Sequence, residues 1–266
     1  MLEYRKMKKL SMDIRILYED TDIVAVDKPA GLVVHPDGKT EEPALTDWIL
    51  EHYPKTKNVG ELQGEIVRPG IVHRLDRGTS GVLLIAKTKK GHTCLKEQFQ
   101  NQLMAKKYLA FVHGDMKDAY GIINKPIGKS PTDFRRWSAG RGARGEMRPA
   151  ETWWTLIAVG RITSSENQEK YSFVEVEPKT GRTHQIRVHF KAIQHPVACD
   201  GLYAPDKVVS DCARLGLQRT ALHAASITFA NCAGKKVTVQ SPFPDDMKGV
   251  LNELGMVEVA KKKGIC

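Results

Sequence analysis

IVHRLDRGTSGVLLIAK, residues 71–87, joins two unlike pieces of chain. The run from 82 to 87 is apolar without strict alternation, which fits a buried strand. Ahead of it, Gly78, Thr79, Ser80 and Gly81 make a tight turn. The approach to that turn holds one carboxylate, Asp76, between Arg74 and Arg77. A loop salt bridge is the commoner fate of such a triplet. A turn at the mouth of a buried strand has another use: it aims the residues before it into a cleft. A neighbouring arginine keeps a carboxylate ionised even when partly buried, as a nucleophile or general base requires.

Outward from this stretch, strands outnumber helices. Residues 13–20 and 22–29 read as two short strands joined by the turn Asp20-Thr21-Asp22, and AGLVVHP continues in extended form. ALTDWILEHYP places Leu45, Trp48 and Ile49 at helical spacing and is closed by Pro54. Residues 55–70 read as a loop. GHTCLKEQFQNQL predicts an amphipathic helix with Leu95, Phe99 and Leu103 four apart. KKYLAFVHG and GIINKPIG read as strands, as do AETWWTLIAVG and YSFVEVEP, a pair connected through RITSSENQEK. In KTGRTHQIRVHFKAIQHP, Thr183 is the predicted N-cap of a helix that presents Ile186, Phe190 and Ile193 on one face and ends before Pro196. ALHAASITFA and KKVTVQSP predict a late strand pair, with a helix at 244–254 and a basic tail after it. The expected fold class is α+β: a mixed, largely antiparallel central sheet with flanking helices and loops around a catalytic cleft. The expected organisation is a basic extension over 1–12, one catalytic domain over 13–255 and a basic tail over 256–266. No internal repeat is present.

The chain has 266 residues, 41% of them hydrophobic, enough for a real core. Forty-one Lys and Arg against 31 Asp and Glu leave a net charge of +10. That excess favours a polyanionic partner, either a nucleic acid or an anionic membrane. The apolar runs are too short to span a bilayer, so no membrane association is expected. The start, MLEYRKMKKLSMDIR, is basic without an apolar signal core. The five cysteines (94, 199, 212, 232, 266) form no CxxC pair and suggest neither a disulfide framework nor a zinc site; scattered thiols fit a cytoplasmic protein.

The segment 129–149, KSPTDFRRWSAGRGARGEMRP, holds Lys129 and five arginines (135, 136, 141, 144, 148) against two acids. It reads as a basic loop. A solvated insertion has this composition too, but guanidiniums beside Phe134 and Trp137 suit phosphate clamping and base stacking in structured RNA. PIGKS at 126–130 echoes a phosphate loop but carries Ile123 where that loop needs glycine. His184 and His189, five apart, are poorly spaced for a metal and read as structural or RNA-facing.

HRLDRGTSGVLLIAK resembles the signature of the RluA-type pseudouridine synthases. DKPAGLVVHP (27–36) and KTGRTHQIRVHF (179–190) resemble that family's N-terminal and C-terminal motifs. KKYLAFVHG, HPVACDGLY (195–203) and RTALHAASITF (219–229) are smaller matches in the family's order. The resemblance spans roughly residues 13–250. It implies isomerisation of uridine in RNA without cofactor or metal, the base being detached from C1′, rotated and rejoined through C5. It makes Asp76 the essential aspartate, Tyr108 the active-site tyrosine that stacks on uracil, and Arg187 the arginine that pairs with the aspartate. Arg74 is then expected to help displace the target base, which must leave its stack to present its glycosidic bond. Arg77, Ile186, Arg182, Arg135 and Arg136 complete the expected substrate-binding set, and Lys28 and Pro29 are expected at the pocket floor or in packing. Many relatives of the large-subunit type carry an N-terminal S4 domain; here only about a dozen residues precede the first expected strand, so specificity is expected from the catalytic domain and its basic loop. The expected substrate is ribosomal RNA, with transfer RNA as the alternative, and the expected state a monomer. Two other readings compete: a non-catalytic RNA-binding or ribosome-assembly protein on the same fold, and a phosphate-ester enzyme, which usually needs a carboxylate-rich metal site.

Overall fold

The structure is a computed structural model that describes residues 13–36, 42–60, 62–63, 66–140, 143–162 and 169–266. The chain divides into two compact units, one from Met1–Ala105 and Ser226–Ser241, the other from Lys106–Ala225 and Pro242–Cys266.

In the first unit the strands Ile16–Glu19 and Ile23–Lys28 form an antiparallel hairpin. The Asp-Thr-Asp turn works as the sequence implies: Asp20 Oδ1 accepts from the backbone N–H groups of Asp22 and Ile23, both at 2.8 Å. Ile23–Lys28 pairs antiparallel with Ser80–Ala86, from Ile23 opposite Ala86 to Lys28 opposite Gly81. Every residue of Ser80–Ala86 is buried, which explains its continuous apolar run. Helix Lys89–Gln100 follows, its N-cap Thr88 accepting from Gly91 N at 3.0 Å. Gly91 is required because a Cβ there would collide with the Asp22 carbonyl. Leu95 and Phe99 pack with Ile23, Leu84 and Phe229. Leu103 does not continue that face: the helix ends at Gln100, Gln102 turns the chain at φ 56°, and Leu103 is 69% exposed. Leu45–His52 is helical as expected, and Pro54 opens a short 3-10 turn, Pro54–Asn58, within the expected loop. Two two-residue strands, Leu62–Gln63 and Ile66–Val67, pair there as well. From Ser226 onward, strand Leu222–Ala230 pairs antiparallel with Lys236–Gln240.

In the second unit the strand order is Ala105–His113, Lys170–Pro178, Glu151–Arg161, Tyr120–Asn124, each antiparallel to its neighbour. Phe111 and Phe173 stack at 4.6 Å in a core completed by Tyr171, Phe190, Met247 and Leu251. The basic segment is not wholly loop. Trp137–Ser138 and Arg144–Arg148 flank Ile127–Lys129 in a small antiparallel sheet. The helix expected after Thr183 is Gln185–Ala192, and its N-cap is His184 in the left-handed region at φ 55°, not Thr183. Ile186 and Phe190 are buried and Ile193 packs beside them. Asp245–Glu253 is helical, and a further helix, Val257–Lys262, lies in the expected basic tail with Ala260 buried. A short helix, Asp206–Ser210, had no sequence signal. Nor had the disulfide between Cys199 and Cys212, whose Cα atoms lie 5.5 Å apart. Together these elements make an α+β fold dominated by antiparallel sheet.

Candidate active site

The Asp76 turn belongs to the first unit and is pinned through its backbone. Thr79 N donates to Asp76 O at 3.0 Å, closing the turn. Arg77 O accepts from Gly31 N at 2.8 Å and from Lys28 Nζ at 3.4 Å. Lys28 is fully buried, and its ammonium also donates to Pro29 O at 2.7 Å and Leu32 O at 2.8 Å. A buried ammonium is tolerated only with such partners. Lys28 is therefore a strut that ties the DKPAGL segment to the turn, the packing alternative of the sequence reading. On the approach, His73 Nε2 accepts from Leu84 N at 2.8 Å and its ring stacks on Phe99 at 4.5 Å. Leu75 is buried. Asp76 is half-buried, while Arg74 and Arg77 on either side are exposed. Both arginines have further partners: Arg74 Nη1 lies 3.4 Å from His35 Nε2, and Arg77 pairs with Glu42.

Tyr108 and Arg187 belong to the second unit. Tyr108 stands on strand Ala105–His113 opposite Val176, partly buried against the core. Two residues earlier on the same face, Lys106 donates to Thr180 O at 3.1 Å. Burial and the Lys179 charge push the Lys106 ammonium down to about 8. Arg187 is 8% exposed and forms a two-pronged pair with Asp200, Nε to Oδ2 at 2.6 Å and Nη2 to Oδ1 at 2.7 Å. Asp200 is fully buried and accepts in addition from Leu202 N at 3.1 Å and Tyr203 N at 3.2 Å. The Arg187 guanidinium lies 4.9 Å from the Tyr203 ring centre. The Tyr203 hydroxyl accepts from Trp137 N at 2.9 Å and meets His184 Nδ1 at 2.8 Å. The left-handed His184 thus joins the helix start to the basic segment.

Gln185 and Asp200 were not singled out in the sequence. The Gln185 amide accepts from Thr180 Oγ1 and Arg182 N and donates to Glu151 O and Thr152 Oγ1, fixing the Lys-Thr-Gly-Arg turn. Arg182 Nε donates to Pro149 O at 3.0 Å. Ile186 is buried in the core. His189 is buried between Thr152 Oγ1 and Lys125 O, and burial lowers its pKa, so it is structural. In the basic segment Arg135 and Arg136 both pair with Asp133, at 2.9 and 3.3 Å. The Arg135 hydrogen bonds, from side chain and backbone, hold the Asp133 carboxyl down at about 2. Phe134 between them is 90% exposed. Arg141 lies outside the described residues. Among the described residues no three His, Cys, Asp or Glu converge as metal ligands.

The fold is similar to that of pseudouridylate synthase domains. The structure titled "Human RNA Pseudouridylate Synthase Domain Containing 1" aligns at TM-score 0.70 and 26% identity over 87% of this chain and 84% of that one. "Human RNA Pseudouridylate Synthase Domain Containing 4" shares the fold at TM-score 0.67 and 22% identity. Residues 22–192 match the family described as RNA pseudouridylate synthase, and the chain belongs to that family. Among its relatives, "Uncharacterized RNA pseudouridine synthase YlyB" of Bacillus subtilis is 34% identical over 91% of this chain and 73% of its own length. "Ribosomal large subunit pseudouridine synthase D" of Nitrosomonas europaea is 34% identical over 92% of this chain and 66% of its own length.

Proposed function

We propose that this pseudouridine synthase acts on structured RNA, ribosomal RNA foremost, with Asp76 as its essential carboxylate. The observation that carries the assignment of Asp76 is its setting: half-buried, on a turn held through Arg77 O by a fully buried lysine and a glycine N–H. In the reaction the C1′–N1 glycosidic bond breaks and a C1′–C5 bond forms. The proton leaves C5 and N1 takes one up, so atoms and charge balance without a redox partner. Tyr108 is suited to stack on the uracil and receive the C5 proton. Arg187, held rigid by Asp200, supplies a fixed positive charge on the second unit. Arg74 is suited to fill the space of the displaced base or to meet phosphate, since a stacked base cannot present its glycosidic bond. Ile186 acts through packing behind Arg187, and Arg182, Arg135, Arg136 and Arg77 supply positive charge for RNA. Ribosomal RNA is favoured over transfer RNA because relatives named for the ribosomal large subunit span nearly the whole chain.

We place the protein in the cytoplasm as a monomer, with residues 13–255 as the catalytic domain. The described residues contain no helix long and apolar enough to cross a membrane. The Cys199–Cys212 disulfide runs against a reducing compartment. The test is chemical mapping of pseudouridine in total RNA from cells with and without the gene. One or a few uridines that lose modification in the deletion name the substrate. An unchanged map, with RNA binding retained, would favour the non-catalytic reading.

A further inference from the structure

We propose that His35, Arg68 and Arg74 form a binding site for one backbone phosphate of the RNA strand, next to the Asp76 turn. The proposal rests on the RNA-modifying function above; it adds Arg68 and gives a role to His35, which stands in the DKPAGLVVHP motif.

All three side chains belong to the first unit. Arg74 Nη1 lies 3.4 Å from His35 Nε2, and His35 Nδ1 lies 3.0 Å from Pro36 O. A carbonyl only accepts, so Nδ1 carries the proton. Nε2 then offers a lone pair to the Arg74 guanidinium, and the ring is neutral. Arg68 has a buried Nε with no hydrogen-bond partner among the described residues. A buried guanidinium N–H left unmade is costly, and its presence calls for an acceptor.

The charges acting on this group are all positive. Burial lowers the His35 pKa, the Pro36 carbonyl opposes it, and the charges of Arg68 and Arg74 lower it further. Burial followed by Arg74 lowers that of Arg68. Among the described residues no carboxylate acts on either group. Two guanidiniums beside a neutral imidazole, with no carboxylate acting on Arg68 or His35 among the described residues, suit an anion with several acceptor oxygens. A phosphodiester has that chemistry, and guanidiniums bind it through paired N–H donors. Arg74 is two residues from Asp76, so the phosphate is one close to the target nucleotide.

A seated phosphate reverses the electrostatics at His35. Its oxygen rewards a donor at Nε2, so the ring takes up a proton as RNA binds. Affinity should then fall as pH rises through the window between the free-state and bound-state titrations of His35, and be flat outside it. Arg68 and Arg74 are the charged neighbours that act on His35.

The experiment is side-chain nitrogen NMR of the full chain, with His35 assigned among the nine histidines by the loss of its signal in His35→Gln. The probes are a short uridine-containing RNA oligonucleotide and, separately, inorganic phosphate. The expected result is a His35 titration midpoint that rises with RNA and moves Nε2 from acceptor to donor shifts. Arg68→Gln should weaken RNA binding and lower the salt slope by roughly 0.7–0.9, one counterion's worth, while Arg68→Lys restores most of the slope. An unchanged His35 titration at saturating RNA overturns the site, even if uridine is still isomerised, and leaves the enzymatic reading standing. A response to inorganic phosphate but not to RNA overturns it too, by marking a free-anion site. If no RNA binds at all, the site and the functional reading fail together.

Discussion

Replacing Asp200 with alanine should be among the most damaging single changes in the second unit. The wild-type carboxylate accepts two bonds from Arg187, at 2.6 and 2.7 Å, and two from the backbone of Leu202 and Tyr203. The variant would take two charge-assisted bonds from a guanidinium only 8% exposed. Breaking one side of such a pair costs about 3–5 kcal/mol. For a protein of this size that lowers Tm by roughly 6–20 °C. Arg187→Met should cost a similar amount, since it strands a fully buried carboxylate. The double variant removes both charges, so its loss should fall short of the sum by about 2–3 kcal/mol. Urea unfolding followed by tryptophan fluorescence reads this directly, because Trp137, Trp153 and Trp154 all lie in the second unit. Strict additivity, or an Asp200→Ala cost under about 1 kcal/mol, would refute the claim that this pair is desolvated and mutually dependent.

Lys28→Met should cost about 2–3 kcal/mol by leaving the Pro29 and Leu32 carbonyls without their donor, and should speed backbone hydrogen exchange at 76–79; unchanged exchange there would remove Lys28 as the strut. Lys106 gives a pH signature. Its folded pKa, about 8, lies below the ordinary lysine value, so the unfolded chain binds more protons between pH 8 and about 10.4. Stability relative to Lys106→Met should therefore rise with pH across that window, by on the order of 3 kcal/mol, and be flat below it; a flat difference throughout would show Lys106 to be well solvated. In the basic segment, Arg144→Ala should flatten the salt dependence of RNA binding by roughly 0.7–0.9. Arg135→Ala and Arg136→Ala should each do less, because Asp133 already engages both side chains; equal effects at all three would mean that RNA displaces Asp133.

Local rules carried much of the fold into the sequence. The Asp20-Thr21-Asp22 turn was legible because an aspartate side chain closes it with its own neighbours. Ser80–Ala86 was legible because burial on both faces leaves an uninterrupted apolar run. Where tertiary contacts override local chemistry, the reading failed. Leu103 keeps helical spacing with Phe99, yet the chain turns at Gln102. Thr183 is the better capping residue, yet His184 takes the cap and reaches Tyr203. The Arg/Gly segment has loop composition, but its strands are completed by Ile127–Lys129. At the site, Asp76, Tyr108 and Arg187 were named from motif resemblance. Asp200 was not, because its partnership with Arg187 exists only once the chain folds back over 13 residues. Lys28 was hard to assign because nothing local distinguishes a lysine that will be fully buried.

The most direct test of Asp76 is single-turnover isomerisation by Asp76→Asn on a mapped substrate RNA, with binding measured in parallel. The amide keeps the shape of the carboxylate and removes its charge and basicity. The expected result, with Asp76 as the proposed reacting group, is RNA affinity within a few-fold of wild type and no detectable pseudouridine. Pseudouridine formed by the variant at a measurable rate would contradict the assignment of Asp76 as the essential group.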